Sequence, residues 1–348
     1  MEHVGAAAGQ KKKIYIEVIR LMAIMMVLYG HTSVNGLMYF NLGKMNRSSQ
    51  IAIWIYPVIA GSVKLFFMIS GALLLRKQES INTVLKKRFL RFFIVTAVTV
   101  LIYYVREGVD ISAAGYFNAL YKGGVLPQHW FLYSYLSFLL LLPFLQRMVA
   151  AISENSLYWY LWGLAILFEL GFPLLQLITG FNSVGLITPL LEQIVFYPLL
   201  GYFLDSRVLP ACKDKRYLPA VIGAAVLLVV TVNYFMDRHS FAVNGTMAYA
   251  YWFNAIIIPG IYLLVCLTFA QICLNDRICS ILTFLGNGVF GTYLLEDIIR
   301  DKLFFLLEDW VYKIPEYFAC WLWILVCVLC GILITNLLKL IPLLKKFL

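Results

Sequence analysis

Three ionisable residues sit in one apolar run near the start of the chain: Glu17, Arg20 and His31. At about 100° per residue, Arg20 and His31 fall about three turns plus 20° apart, and Glu17 lies within roughly 40° of the same line. As a helix, the run carries an acid, a guanidinium and an imidazole on one face, with Ile24 and Val27 between them. The rise from Arg20 to His31 is about 16 Å. A neutral imidazole, with a reference pKa of about 6.5, can take a proton as a general base or briefly carry a transferred group. A plainer reading has Glu17 and Arg20 as an i,i+3 pair at an interface and His31 capping the helix among headgroups. Spacing leaves both readings open.

Other chemistry-bearing residues are scattered along the chain. Lys64 lies mid-way through a second apolar run, seven residues before Gly71 and so on the same helical face, with Ser70 beside it. Its partner is Glu169 or Glu192, both in later apolar runs. A basic block follows, with Arg76, Lys77, Lys86, Lys87, Arg88 and Arg91. Such a block anchors a protein to anionic lipid, or, because guanidinium forks match phosphate geometry, forms a phosphate site. Gln128-His129-Trp130 opens a fourth run, where His129 alone reads as an interfacial histidine. Tyr293 and Glu296 close a glycine-rich run, and Glu296 with Arg300 makes a favourable i,i+4 pair. No phosphate loop, zinc spacing or nucleophile elbow is present, and no metal site is expected.

The elements that must position these groups are membrane helices. The chain has 348 residues, 62% hydrophobic and 13% charged, with a mean hydropathy of +0.84. This composition excludes a soluble enzyme, a disordered tail and a collagen-like fibre. At about 20 residues per span, ten segments can be drawn: 14–34, 52–75, 89–106, 129–149, 157–178, 189–204, 218–235, 250–273, 281–300 and 318–341. The sixth and ninth are the shortest or most polar. Each charge inside a span costs about 2.5–3.5 kcal/mol on an insertion scale, so each needs a reason. The net charge of +10 is a topology signal and points to no nucleic acid. Placing both termini in the cytoplasm puts Lys11 to Lys13, the basic block, Lys213, Lys215, Arg216, Lys345 and Lys346 on the inner side. The expected fold is therefore all-α, a polytopic membrane protein of about ten transmembrane helices. Residues 1–13 form a cytoplasmic tail, residues 14–348 form one membrane domain, and no soluble domain is appended. Cys266, Cys273, Cys320 and the Cys327/Cys330 pair lie in apolar segments and read as small core residues.

Taken in order, these segments resemble the acyltransferase-3 family of integral membrane O-acyltransferases. The family has an acidic residue, an Arg three residues on and a His after ten more; here these are Glu17, Arg20 and His31. Its Phe-Phe-x-x-Ser-Gly signature is met by Phe66, Phe67, Ser70 and Gly71, and its basic loop by Lys87, Arg88 and Arg91. Trp130-Phe131-Leu132 and Leu200-Gly201-Tyr202 are similar to two further family motifs. Where the family has Tyr-Leu-x-His, this chain has Tyr293-Leu294-Leu295-Glu296, so no imidazole stands there.

The resemblance implies transfer of an acyl group, most often acetyl, from cytoplasmic acyl-CoA to a hydroxyl of a cell-envelope carbohydrate or glycolipid, in the plasma membrane. His31 is then base or acyl carrier, Arg20 binds phosphate or holds the helix, and Glu17 orients Arg20. Lys64, Ser70, Arg88 and Arg91 fall on the donor side, with Lys64 polarising the thioester carbonyl. His129, Trp130, Tyr293 and Glu296 fall on the acceptor side. Acyl-CoA is a substrate, and no bound cofactor is implied. Membrane lipid is a partner, and a homo-oligomer stays open. Two competing readings are a secondary transporter relaying protons or ions through Lys64, Glu169, Glu192 and Glu296, and a non-catalytic membrane sensor on the same scaffold.

Overall fold

A computed structural model describes residues 13–32, 47–108, 111–180, 188–244 and 247–347. The described chain is helical, with no strand among these residues. Apolar runs become helices because hydrocarbon offers no partner for backbone N–H and C=O groups, and a helix satisfies them internally. We number the long helical segments α1 (Ile14–Gly30), α2 (Arg47–Leu74, interrupted at Gly61), α3 (Ile81–Glu107), α4 (Pro127–Ala151), α5 (Asn155–Thr179), α6 (193–212), α7 (Leu218–Asn244), α8 (Asn254–Gln271), α9 (Asp276–Lys302) and α10 (Glu316–Leu338).

All ten predicted segments coincide with helices, residues 33 and 34 of the first lying outside the described residues. Among the described residues, eight are long and apolar enough to cross a bilayer. The other two are α1, of 17 residues, and α6, whose hydropathy is diluted by Asp205 and Arg207. The ninth segment, expected to be weak, is a continuous helix of 27 residues. Asn275 caps it by accepting from the Ile278 N–H at 2.8 Å. Cys266, Cys320 and Cys327 are buried, whereas Cys273 lies exposed beyond the end of α8. That last residue is therefore not a core residue, because the helix stops at Gln271.

The first helix is the hub. It packs against both halves of α2 and against α8, α9 and α10. Its buried residues include Tyr15, Ile19, Val27, Leu28 and Tyr29, which spread around the helix rather than along one stripe. Three helices carry a π-helical turn: Val84–Phe89 in α3, Leu167–Gly171 in α5 and Leu204–Val208 in α6. Each holds ionisable side chains, respectively Lys86 to Arg88, Glu169, and Asp205 with Arg207. A π turn inserts an extra residue and re-aims the side chains around it.

The tightest crossing joins α2 to α6. A Cβ on Gly71 would overlap the Pro198 backbone, and one on Gly201 would overlap the Met68 backbone. Two backbones in contact leave no side chain to yield, which is why small residues sit at such crossings in membranes. Gly71→Ala or Gly201→Ala should therefore destabilise the fold by about 1–3 kcal/mol. Thermal unfolding in detergent, followed by size-exclusion chromatography, should show a lowered midpoint for each. A midpoint equal to the parent's would rule out the close approach.

Candidate functional site

A cavity of about 450 Å³ opens among α1, α2, α3, α4 and α9. Its mouth is basic: Lys87, Arg88, Arg91 and Lys339 line it, with Arg20 further along the wall. Its body is aromatic, with Phe66, Phe92, Phe131, Tyr135 and Phe290. Tyr293 bounds it at the far end from the basic mouth, beside Phe131, whose ring centroid lies 5.2 Å away. Ser70 also lines it; its Oγ donates to the Phe66 carbonyl at 2.8 Å and lies 3.2 Å from the Tyr135 hydroxyl.

Arg20 is positioned from its own helix. Its guanidinium donates to Glu17 Oε2 at 3.0 Å. Glu17 is buried, and its carboxylate occupies the space a Cβ on Gly286 of α9 would need. The glycine thus lets the acid sit between α1 and α9 while the arginine reaches the cavity. The mouth is ordered in the same way. Arg88 donates twice to Glu79, at 2.5 and 2.7 Å, and these bonds hold Glu79 below the usual carboxylate range. Burial, and then the neighbouring Arg91, push Lys339 below the usual lysine range. Its ammonium donates to the Asn287 carbonyl at 2.5 Å. Two cations crowd the mouth there with no carboxylate among the described residues bridging them, an arrangement that an anion would relieve.

His31 belongs to a second centre, at the opposite end of α1. Its Nδ1 lies 2.8 Å from Glu296 Oε1. A carboxylate only accepts, so Nδ1 carries the hydrogen and, in the neutral ring, Nε2 is the basic atom. The other carboxylate oxygen accepts from Arg300 Nε at 2.5 Å. Arg300 also donates to the His31 backbone carbonyl at 2.7 Å and to Asp297 at 3.0 Å. Asp297 in turn accepts from Arg106 at 2.5 Å and from Gln128 at 3.3 Å. Glu296 is buried, while the His31 side chain stays 23% exposed. The imidazole is thus fixed in orientation and tautomer yet still reachable. His31 lines neither of the two cavities around it, and residues 33–46, which follow it, lie outside the described residues.

The two centres nearly meet. A crevice of about 10 Å³ is lined by Gln128, His129, Tyr293, Glu296 and Asp297, room for no more than about one water molecule. Tyr293 is therefore a wall common to the large cavity and the crevice. It is locked in place, its hydroxyl donating to the Gln128 carbonyl at 2.6 Å. Tyr293 and Glu296 are separated by a rise of about 4.5 Å along α9.

The remaining predicted residues are placed as follows. His129 Nδ1 accepts from the backbone N–H of Val125 and of Leu126, at 3.2 and 3.4 Å. Its Nε2 therefore carries the hydrogen when the ring is neutral. Trp130 is 41% exposed and lines neither cavity. Lys64 lies apart from both. Its ammonium sits 5.1 Å above the Tyr197 ring; with the Asn254 amide assigned so that its oxygen faces Lys64, that oxygen accepts from the ammonium at 2.8 Å and the amide nitrogen donates to the Pro57 carbonyl. The Tyr197 hydroxyl also donates to Glu169 at 3.4 Å, and the Ala255 N–H donates to Glu169 at 2.9 Å. Glu169, not Glu192, is the carboxylate of this web. Lys339, Tyr135 and Asn287 line the large cavity without having stood out in the sequence. Lys339 resembled one more cationic helix end, and Tyr135 one more aromatic in an apolar run.

A family model described as "Acyltransferase domain" matches residues 13–340. No curated protein and no solved structure matches the chain.

The mouth yields a pH prediction. Glu79 is held below its ordinary value of 4.5, so its pair with Arg88 stabilises the fold fully above that value and is lost as pH falls through the lowered one. Parent and Glu79→Gln should differ in unfolding midpoint above about pH 5 by an amount worth about 1 kcal/mol or less. They should converge in more acid buffer. A gap that widens on acidification would contradict the pairing.

Proposed function

The chain belongs to the acyltransferase-3 family, and on that premise we propose that it moves an acyl group, acetyl above all, from cytoplasmic acyl-CoA to a hydroxyl of a cell-envelope carbohydrate or glycolipid at the plasma membrane. One observation carries this reading: a basic-mouthed cavity ends at Tyr293, one helical turn from the carboxylate that holds His31. The mouth suits the donor. Its phosphates are anionic, and Arg91 and Lys339 offer cations that no carboxylate among the described residues bridges. Placing this end in the cytoplasm agrees with the basic loops. The aromatic body suits the pantetheine arm and thioester. Arg20, anchored by Glu17, holds a phosphate or the geometry of α1. The Tyr135 hydroxyl, beside Ser70, is placed to polarise the thioester carbonyl. Lys64, in its own web away from the cavity, keeps a structural part.

At the other end His31 Nε2 takes the proton from the acceptor hydroxyl. The hydroxyl oxygen attacks the thioester carbonyl carbon, a C–O bond forms and the C–S bond breaks. The CoA thiolate leaves and receives the proton from the imidazolium, giving ester and free thiol. Glu296 stabilises the imidazolium and keeps Nδ1 protonated, as a carboxylate does in hydrolase triads. His31 can also carry the acyl group between donor and acceptor; both routes need the same free Nε2. The web around Glu296 gives a reason for an acid at this position: it serves the imidazole on α1 rather than replacing one on α9.

The test is acetyl-CoA consumption by protein in liposomes supplied with envelope glycans. His31→Ala should lower turnover by about 10²–10⁴ with folding unchanged, and normal turnover would defeat the assignment. Glu296→Gln keeps shape but removes the charge, and should cost about 10² or more in kcat with little change in KM for the donor. Arg91→Gln and Lys339→Gln should do the reverse, raising the donor KM about tenfold each while largely preserving kcat. Gradient-driven solute uptake without thioester cleavage would favour a transporter instead.

A further inference from the structure

A second cavity, of about 570 Å³, lies at the same end of the bundle as the basic mouth but shares no lining residue with it. Its chemistry is set by Asp205 on the π turn of α6. The Asp205 side chain is fully buried and accepts from Lys13 Nζ at 2.6 Å, from Arg76 and from the Tyr15 hydroxyl. One carboxylate thereby draws two cations from α1 and from the loop after α2 to one point. Two more line the same cavity, Arg207 and Lys213. Among the described residues neither has a carboxylate partner. The lining therefore holds four cations against one carboxylate. Arg207 comes from the same π turn as Asp205, two residues on, so the widened turn presents its acid inward and its base outward. The backbone carrying Lys213 is fixed, since the Gln271 amide donates to the carbonyls of Lys213 and Lys215 at 3.0 and 3.2 Å.

Uncompensated cations around a cavity of this size call for an anion, and the Tyr202 hydroxyl adds an uncharged donor beside them. The rim favours one source of that anion. Pro210 and Ala270, both exposed, close it with apolar groups at the ends of α6 and α8, where acyl chains would continue along the helix surface. We propose that this cavity is an anion site separate from the acyl-transfer centre, and that it takes the phosphate headgroup of an acidic membrane lipid. The inference does not rest on the acyltransferase reading, since no residue is common to the two cavities.

Native mass spectrometry of the whole protein, released from bilayers of phosphatidylcholine doped with phosphatidylglycerol, tests this. The parent should retain phosphatidylglycerol preferentially, and less of it as salt rises. Arg207→Gln and Lys213→Gln, both at exposed positions, should each lower retention about fivefold. Arg91→Gln, in the other cavity, should leave it unchanged. Equal retention by the parent and both variants would overturn the site. Displacement of the lipid by millimolar inorganic phosphate would overturn the lipid as its source. Loss of acyl transfer in a His31 variant with lipid retention intact would show that the two centres stand or fall separately.

Discussion

A carboxylate withdrawn from water must find its hydrogen-bond donors inside the protein. Glu296 meets that demand with one donor per oxygen, an imidazole from α1 and a guanidinium one turn along its own helix. The arginine then extends to the backbone at the end of α1 and to Asp297. Because the acid has no other outlet, α1 and α9 cannot slide past one another without leaving a buried charge bare. The geometry of the imidazole follows from this electrostatic necessity, which leaves its second nitrogen without a partner among the described residues.

The same rule recurs elsewhere in the bundle. Asp205 gathers Lys13, Arg76 and Tyr15. Glu17 holds Arg20, and Glu169 receives the Ala255 N–H and the Tyr197 hydroxyl. Asp205 and Glu169 each bring groups from different segments to one place, and Glu17 sits where α1 meets α9. In a bilayer, apolar contact between helices gains little over contact with lipid, so packing and polar bonds must specify the arrangement. The close glycine crossing of α2 and α6 supplies the packing part of that specification.

Much of this was legible in the residue order, and what was not has a common cause. The shared face of Glu17, Arg20 and His31 follows from helical spacing, as do the local pairs Glu17 with Arg20 and Glu296 with Arg300. The bond between His31 and Glu296 spans 265 positions, and no periodicity within a helix encodes it. Glu296 read alone resembled half of a surface pair. Lys64 had two candidate acids at similar depth, and only the packing of α5 against α8 selects Glu169. Lys339 hid among the cations expected at any helix end, since nothing local distinguishes one that faces a cavity. The three π turns were equally invisible, since no residue type or spacing in the sequence marks them.

The separation of 265 positions between His31 and Glu296 also bears on biogenesis. At about 5–20 residues per second, a ribosome takes roughly 13–50 s to make the intervening chain. For that interval α1 waits in the translocon or lipid without its distant partner. An imidazole can wait uncharged, whereas an ionised carboxylate left alone there would be costly. Glu17, the acid that does emerge early, has its guanidinium three residues behind. The order of synthesis therefore delivers the imidazole of the distant pair first, and the acid last, together with the arginine of its own helix.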